Sequence, residues 1–116
     1  MSNAVHLAVI LQSRAEVYVA QRRWNEAAPV YRQLIAVYEP LLDRDPKNET
    51  FLKDRPPMYA SLANCYAALS QWGSAATAIE TSLDRMHAIE LRRPLTKAEE
   101  QARADAAANL EQWRRR

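Results

Sequence analysis

The chain has 116 residues, of which 48% are hydrophobic and 26% charged, a balance that suits one soluble globular domain and excludes a disordered tail. Sixteen Lys and Arg residues are interspersed with fourteen Asp and Glu and leave a net charge of +2, which gives no general attraction to nucleic acid or a membrane surface. Cys65 is the single cysteine and cannot form an internal disulfide, and no apolar run approaches the roughly 20 residues that span a bilayer. The expected compartment is the cytoplasm.

Met1-Ser2-Asn3-Ala4 (1–4) reads as a cloning remnant, and a single domain is expected over 5–116. The first helix is predicted from Ala4 to Arg22, because Ala8, Leu11, Ala15 and Tyr18 recur at helical spacing. Val5, Val9, Ile10, Val17 and Val19 widen that stripe, so the helix is expected to be covered on more than one side. The second helix should start with Asn25 as its N-cap. Ala27, Tyr31, Leu34, Tyr38 and Leu41 form its stripe, with Ala28, Ile35 and Leu42 beside them. Pro29 falls near the first turn, whereas Pro40 predicts a kink or an early stop. Asp45-Pro46 predicts the start of a short helix, Pro46 to Lys53. Pro56-Pro57 then predicts a break before the next helix, which runs to Ser70 with Tyr59, Leu62, Ala63, Tyr66 and Leu69 inward. After the turn Gln71-Trp72-Gly73-Ser74, another helix is expected from Ser74 or Ala75 to Leu91, with Ala76, Ile79, Leu83 and Met86 on its stripe. Thr96-Lys97-Ala98-Glu99 has the spacing of a capping box. It opens a last helix with Ala98, Ala102, Ala106, Leu110 and Trp113 on one side, and Arg114 to Arg116 are expected as its frayed, solvated end.

The chain repeats itself. Ala15, Tyr18, Ala20, Trp24, Ala27 and Ala28 recur, 48 residues on, as Ala63, Tyr66, Ala68, Trp72, Ala75 and Ala76. Small residues facing each other let two helices approach, Tyr fills the space one turn on, and Trp covers the open end: an αα-hairpin used twice. The expected fold is all-α, stacked antiparallel helix hairpins forming an α-solenoid fragment of five to six helices. Repeat one spans 5–44, a linker with a short helix 45–56, repeat two 57–93 and a last helix 96–116 that either caps the array or is the first half of an interrupted third repeat. The pattern Leu-small-Tyr-Trp-x-x-Ala resembles the tetratricopeptide repeat. Tyr59, Leu62, Ala63, Tyr66, Trp72 and Ala75 carry it best. Repeat one departs at Arg14, where Leu is usual, and at Arg22, where Gly is common. Repeat two departs at Ile79 and Ser82. The 48-residue spacing exceeds the usual unit of about 34 and is closer to lengthened kinesin-light-chain-type repeats of roughly 42. Glu26-Ala27-Ala28-Pro29-Val30-Tyr31 is similar to the segment that opens their second helices.

Nothing in the sequence spells out catalysis. His6 and His87 lack spaced metal ligands, Cys65 has no implied base, and there is no phosphate loop, nucleophile elbow or His-Glu-x-x-His. The adjacent carboxylates Glu99 and Glu100 point about 100° apart on a helix, so a capping role is expected of them. No cofactor, no metal site and no enzymatic activity are expected. Most aromatics fall on the apolar stripes or at the repeat turns, so stacking on RNA is the least favoured use. The resemblance implies instead a concave groove lined by the first helix of each hairpin. Carried over by position, its ligand contacts are Gln12, Glu16, Val19, Ser61, Asn64 and Ala68. Asn64 falls where such repeats hold a peptide backbone by a side-chain amide. Gln12 and Ala60 stand where a chaperone-tail clamp needs Lys, and Glu16 would repel an acidic tail. The expected function is a module of a larger protein that binds an unidentified protein or peptide, as an extended chain or a helix face. The alternatives are homodimerisation through an open end and, less favoured, RNA binding. No nucleic-acid or membrane partner is expected.

Overall fold

The computed structural model describes residues 3–116. Met1 and Ser2 of the suspected remnant lie outside them, and Asn3 and Ala4 belong to the first helix. Among the described residues there are five helices and no strand: α1 Asn3–Ala20, α2 Trp24–Arg44, α3 Glu49–Ala68, α4 Trp72–Glu90 and α5 Lys97–Arg114. Each packs chiefly on its neighbours in sequence, α1 on α2, α2 on α3, α3 on α4 and α4 on α5. The result is two stacked antiparallel hairpins followed by one further helix, an all-α helical-repeat fragment.

The repeat is visible in the packing. Ala15, Ala27, Ala63 and Ala75 are all at 0% exposure, so the helices of each hairpin meet where neither carries more than a methyl group. Trp24 and Trp72 are half-buried against the main core. A smaller cluster of Leu42, Leu52 and Ile89, with Phe51 and Leu95 against it, closes the opposite end of the hairpins.

Both hairpin turns are built by the same backbone device. Arg22 has φ 57° and Ser70 φ 59°, and these positions are again 48 apart. In the first turn Arg22 N donates to Val19 O at 2.9 Å and Arg23 N to Tyr18 O at 2.8 Å. In the second, Ser70 N donates to Ala67 O at 3.0 Å and Gln71 N to Tyr66 O at 2.8 Å. This is the Schellman pairing, which closes a helix through one left-handed residue. The only Gly is not that residue: Gly73 lies inside α4, its φ is not positive and nothing lies near the place of a Cβ.

Several expected boundaries move. The N-cap of α2 is Arg23, not Asn25, and that of α4 is Gln71; neither makes a side-chain cap bond. Both Trp residues are therefore the first residues of their helices rather than members of the turns. Asp45 caps the C-terminus of α2, and Asn48 is the N-cap of α3, its side chain accepting from Phe51 N at 3.1 Å. The capping box of Thr96 and Glu99 forms as expected.

The larger correction is α3. There is no separate short helix, because Pro56 and Pro57 lie inside one continuous helix. A proline leaves the carbonyl four residues back without its donor. For Pro57 that carbonyl belongs to Lys53, and both residues are exposed, so water can serve it. Pro56 is fully buried, and its own carbonyl accepts a hydrogen bond from Ser82 Oγ at 2.8 Å. Pro40 also fails to stop α2, which runs to Arg44; Pro40 and Ala36, whose carbonyl it leaves free, both face solvent. The broadened apolar face of α1 is not covered on a second side either. Val5, Val9, Ile10 and Val17 are 42–61% exposed, because α1 has only α2 as a close neighbour.

Candidate functional site: the groove between α1, α3 and α5

The first helices of the repeat, α1 and α3, flank a cavity of about 340 Å³ above α2. Leu34, Tyr38 and Leu41 of α2 form its floor, with Phe51 at one end. Ala8, Val9 and Gln12 of α1 face Asp54, Met58 and Ser61 of α3 across it. A second, smaller hollow of about 180 Å³ lies between α3 and α5 above α4 and is lined by Pro56, Met86, Ile89, Leu95, Ala98 and Ala102. Pro57 borders both cavities. Pro57 thus stands between two cavities, one between α1 and α3 and the other between α3 and α5.

The polar groups of the larger cavity are few. Tyr38 is buried, and its hydroxyl donates to Asp54 Oδ2 at 2.9 Å. Burial, and next the Asp54 carboxylate, raise the Tyr38 phenol well above its usual range. Gln12 Nε2 donates to Glu16 Oε2 at 2.7 Å at the rim. Carboxylates are thus present at both walls, Ser13 and Ser61 add hydroxyls, and the remainder is apolar.

Of the residues expected to bind, Gln12 and Ser61 line the cavity. Glu16 is exposed beside it and is tied to it through Gln12. Val19 is half-buried, while Asn64 and Ala68 are exposed further along the helices and do not line it. The cavity sits nearer the start of α1 and α3 than the repeat pattern implied. Asp54, Pro57 and Met58 were missed for one reason. A helix broken at Pro56-Pro57 has no continuous stripe, whereas unbroken α3 places Asp54, Pro57, Ser61, Asn64 and Ala68 on one face at alternating spacings of three and four.

The opposite flank of α3 carries a structural network. Glu39 of α2 accepts from Arg55 at 2.9 Å and from the Tyr59 hydroxyl at 2.5 Å, and Arg85 of α4 lies 3.4 Å away. Burial alone would raise the Glu39 carboxyl. The hydrogen bonds from Tyr59 and Arg55, with the charges of Arg55 and Arg85, outweigh it and hold the group below the usual carboxylate range. Cys65 is fully buried, and burial pushes its thiol up to about 11, so it stays protonated at neutral pH. The C-terminal arginines are engaged rather than frayed: Arg114 pairs with Glu80 of α4, and Arg116 stacks 4.8 Å over the Trp72 ring. Among the described residues no group of three or more His, Cys, Asp or Glu side chains could hold a metal ion, and no helix is long and apolar enough to cross a membrane.

Repeated αα-hairpins with a groove along their first helices define a helical-repeat scaffold. Residues 10–45, most of α1 and all of α2, match the tetratricopeptide repeat family model. The match falls on the first hairpin, although the second carries more of the signature residues. No curated protein and no solved structure matches the chain. Repeats of this family in general mediate contacts between proteins.

Proposed function

We propose that this chain is a non-catalytic protein-interaction module, part of a larger protein, that holds a peptide or a helix face along the groove over α1 and α3. The observation that carries this reading is the cavity of about 340 Å³ with an apolar floor and Gln12, Asp54 and Ser61 on its walls. Apolar clefts with a few convergent polar groups are the usual form of a ligand site. Gln12 and Ser61 bind at the cavity itself, while Glu16, Val19, Asn64 and Ala68 extend the contact along the helices. Two carboxylates, Asp54 and Glu16, favour a ligand with a basic residue beside an apolar anchor, and an acidic tail is disfavoured. The 48-residue unit supports assignment to the lengthened repeats.

The test is selection of peptides from a displayed random library on the immobilised chain, followed by titration of the selected peptides. Ser61→Trp, which fills the cavity, and Asp54→Asn should each weaken binding by about tenfold or more, 1.4 kcal/mol, with the helical circular dichroism unchanged. Selected peptides whose amide-shift footprint lies away from α1 and α3, or whose affinity ignores both substitutions, would defeat the reading.

A further inference from the structure

Part of the apolar surface of α1 is left open, outside the groove. Leu7 is 45% exposed, and Ile10 and Val17 are 54% exposed. With Arg14 they form one stripe at spacings of three, four and three. The 48-residue register identifies that stripe. In α3 the corresponding positions are Arg55, Met58, Leu62 and Cys65, and in α5 they are Arg103, Ala106, Leu110 and Trp113. Met58, Leu62 and Cys65 are at most 7% exposed, on the side of α3 from which Arg55 bonds Glu39 of α2 at 2.9 Å. Ala106 and Trp113 are at most 7% exposed, on the side of α5 from which Arg103 bonds Glu90 of α4 at 2.8 Å. The second crossing repeats the first in detail: Arg32 of α2 meets Tyr66 of α3, and, 48 residues on, Glu80 of α4 meets Arg114 of α5. Each of these first helices buries the same stripe against the second helix of the hairpin before it.

We propose that the Leu7–Ile10–Arg14–Val17 stripe docks an amphipathic helix of a partner protein, presented as α2 and α4 are: the second helix of an αα-hairpin, in the same register. The departures from the other two copies specify its chemistry. Leu7 stands where α3 and α5 have the arginines that reach Glu39 and Glu90, so an apolar residue is expected opposite it. Arg14 stands where they have leucines. Among the described residues it has no ion-pair partner, so a carboxylate is expected one heptad away from the place of Glu39. A second copy of the chain fits less well. Two antiparallel α1 stripes would set Ile10 against Arg14 and leave both arginines without a carboxylate.

The face is tested with the full chain lengthened at its N-terminus by an in-register copy of residues 3–50 in which the copy alone carries Glu39→Leu and Arg32→Glu, so that the added α2 precedes α1 as the native α2 precedes α3 and presents the apolar residue and the carboxylate expected opposite Leu7 and Arg14. The amides of the downstream α1 should exchange about tenfold more slowly than in the 116-residue chain. Ile10→Asp or Val17→Asp in the downstream α1 should abolish that gain while leaving the melting temperature of the 116-residue chain unchanged. An added hairpin that does not fold, or that leaves α1 exchange unaltered, overturns the proposal. So does light scattering that finds the 116-residue chain dimeric with α1 protected, since a second copy would then be the occupant. Neither result bears on peptide selection at the groove, where Leu7, Ile10 and Val17 take no part.

Discussion

At Arg22 and Ser70 the chain enters the left-handed region with side chains that gain nothing from being there. A non-glycine residue in that conformation costs about 1 kcal/mol or more, because its Cβ crowds the following carbonyl. Ser70→Gly should therefore raise stability by about 1 kcal/mol, read as a higher urea midpoint with an unchanged slope. The contrary case is Ser82, at 0% exposure in the place that Leu34 holds in the first hairpin. A bare hydroxyl there would be unfavourable, but its Oγ donates to the carbonyl of buried Pro56 at 2.8 Å. Ser82→Ala should lower stability by about 1 kcal/mol, the net worth of one buried hydrogen bond. A neutral result in the same urea titration would mean that Pro56 needs no such partner. The identity of Ser82 looks like a departure from the repeat pattern in sequence, and its reason lies 26 residues away on another helix.

At the scale of elements, helix existence and facing were legible, because Ala8, Leu11 and Ala15, or Ala27, Leu34 and Tyr38, carry a 3.6-residue period that survives into burial. What was not legible was continuity. Pro56-Pro57 and Pro40 are local stop signals that tertiary packing overrides. That one misreading hid Asp54 and Pro57 from the candidate site. The ends read better where the chemistry is self-contained. The Thr96–Glu99 capping box is complete within four residues, and it formed. It also acquires a partner that the motif does not contain. Arg93 grips Glu99 at 2.8 Å, and hydrogen bonds from Arg93, outweighing the effect of burial, hold the Glu99 carboxyl down at about 2. A carboxyl depressed in the folded state contributes stability that is full above its unfolded value, about 4.3, and is lost as pH falls toward 2. Melting temperatures should accordingly drop between about pH 4.5 and 2. Glu99→Gln should be less stable at pH 7 and show a shallower drop; an unchanged acid profile in that variant would rule out the clamp as its source.

At the scale of the molecule, the 48-residue register accounts for more than the two Trp-x-x-Ala segments that first reveal it. It places α5 as a third first helix, although Arg114 stands where the other two have Tyr. It also explains why α1 is the one first helix with its stripe exposed. The main core runs without a break from Ala8 of α1 to Trp113 of α5, but each helix touches mainly its sequence neighbours, so stability should be graded along the chain. The gradient follows from burial. α3 packs on both α2 and α4, whereas α1 packs chiefly on α2 and α5 chiefly on α4. Of the two ends, α5 has the better hold, through buried Trp113, the Arg114–Glu80 and Arg103–Glu90 pairs and the clamp at Glu99. Native-state hydrogen exchange should therefore rank the helices with α3 most protected, α2 and α4 next, α5 after them and α1 last. Trp113→Ala should drop α5 below α1 without altering the protection of α3. If α1 instead exchanged as slowly as α3 in the isolated chain, its exposed stripe would have to be covered in solution, and the independence of neighbouring hairpins would fail with it.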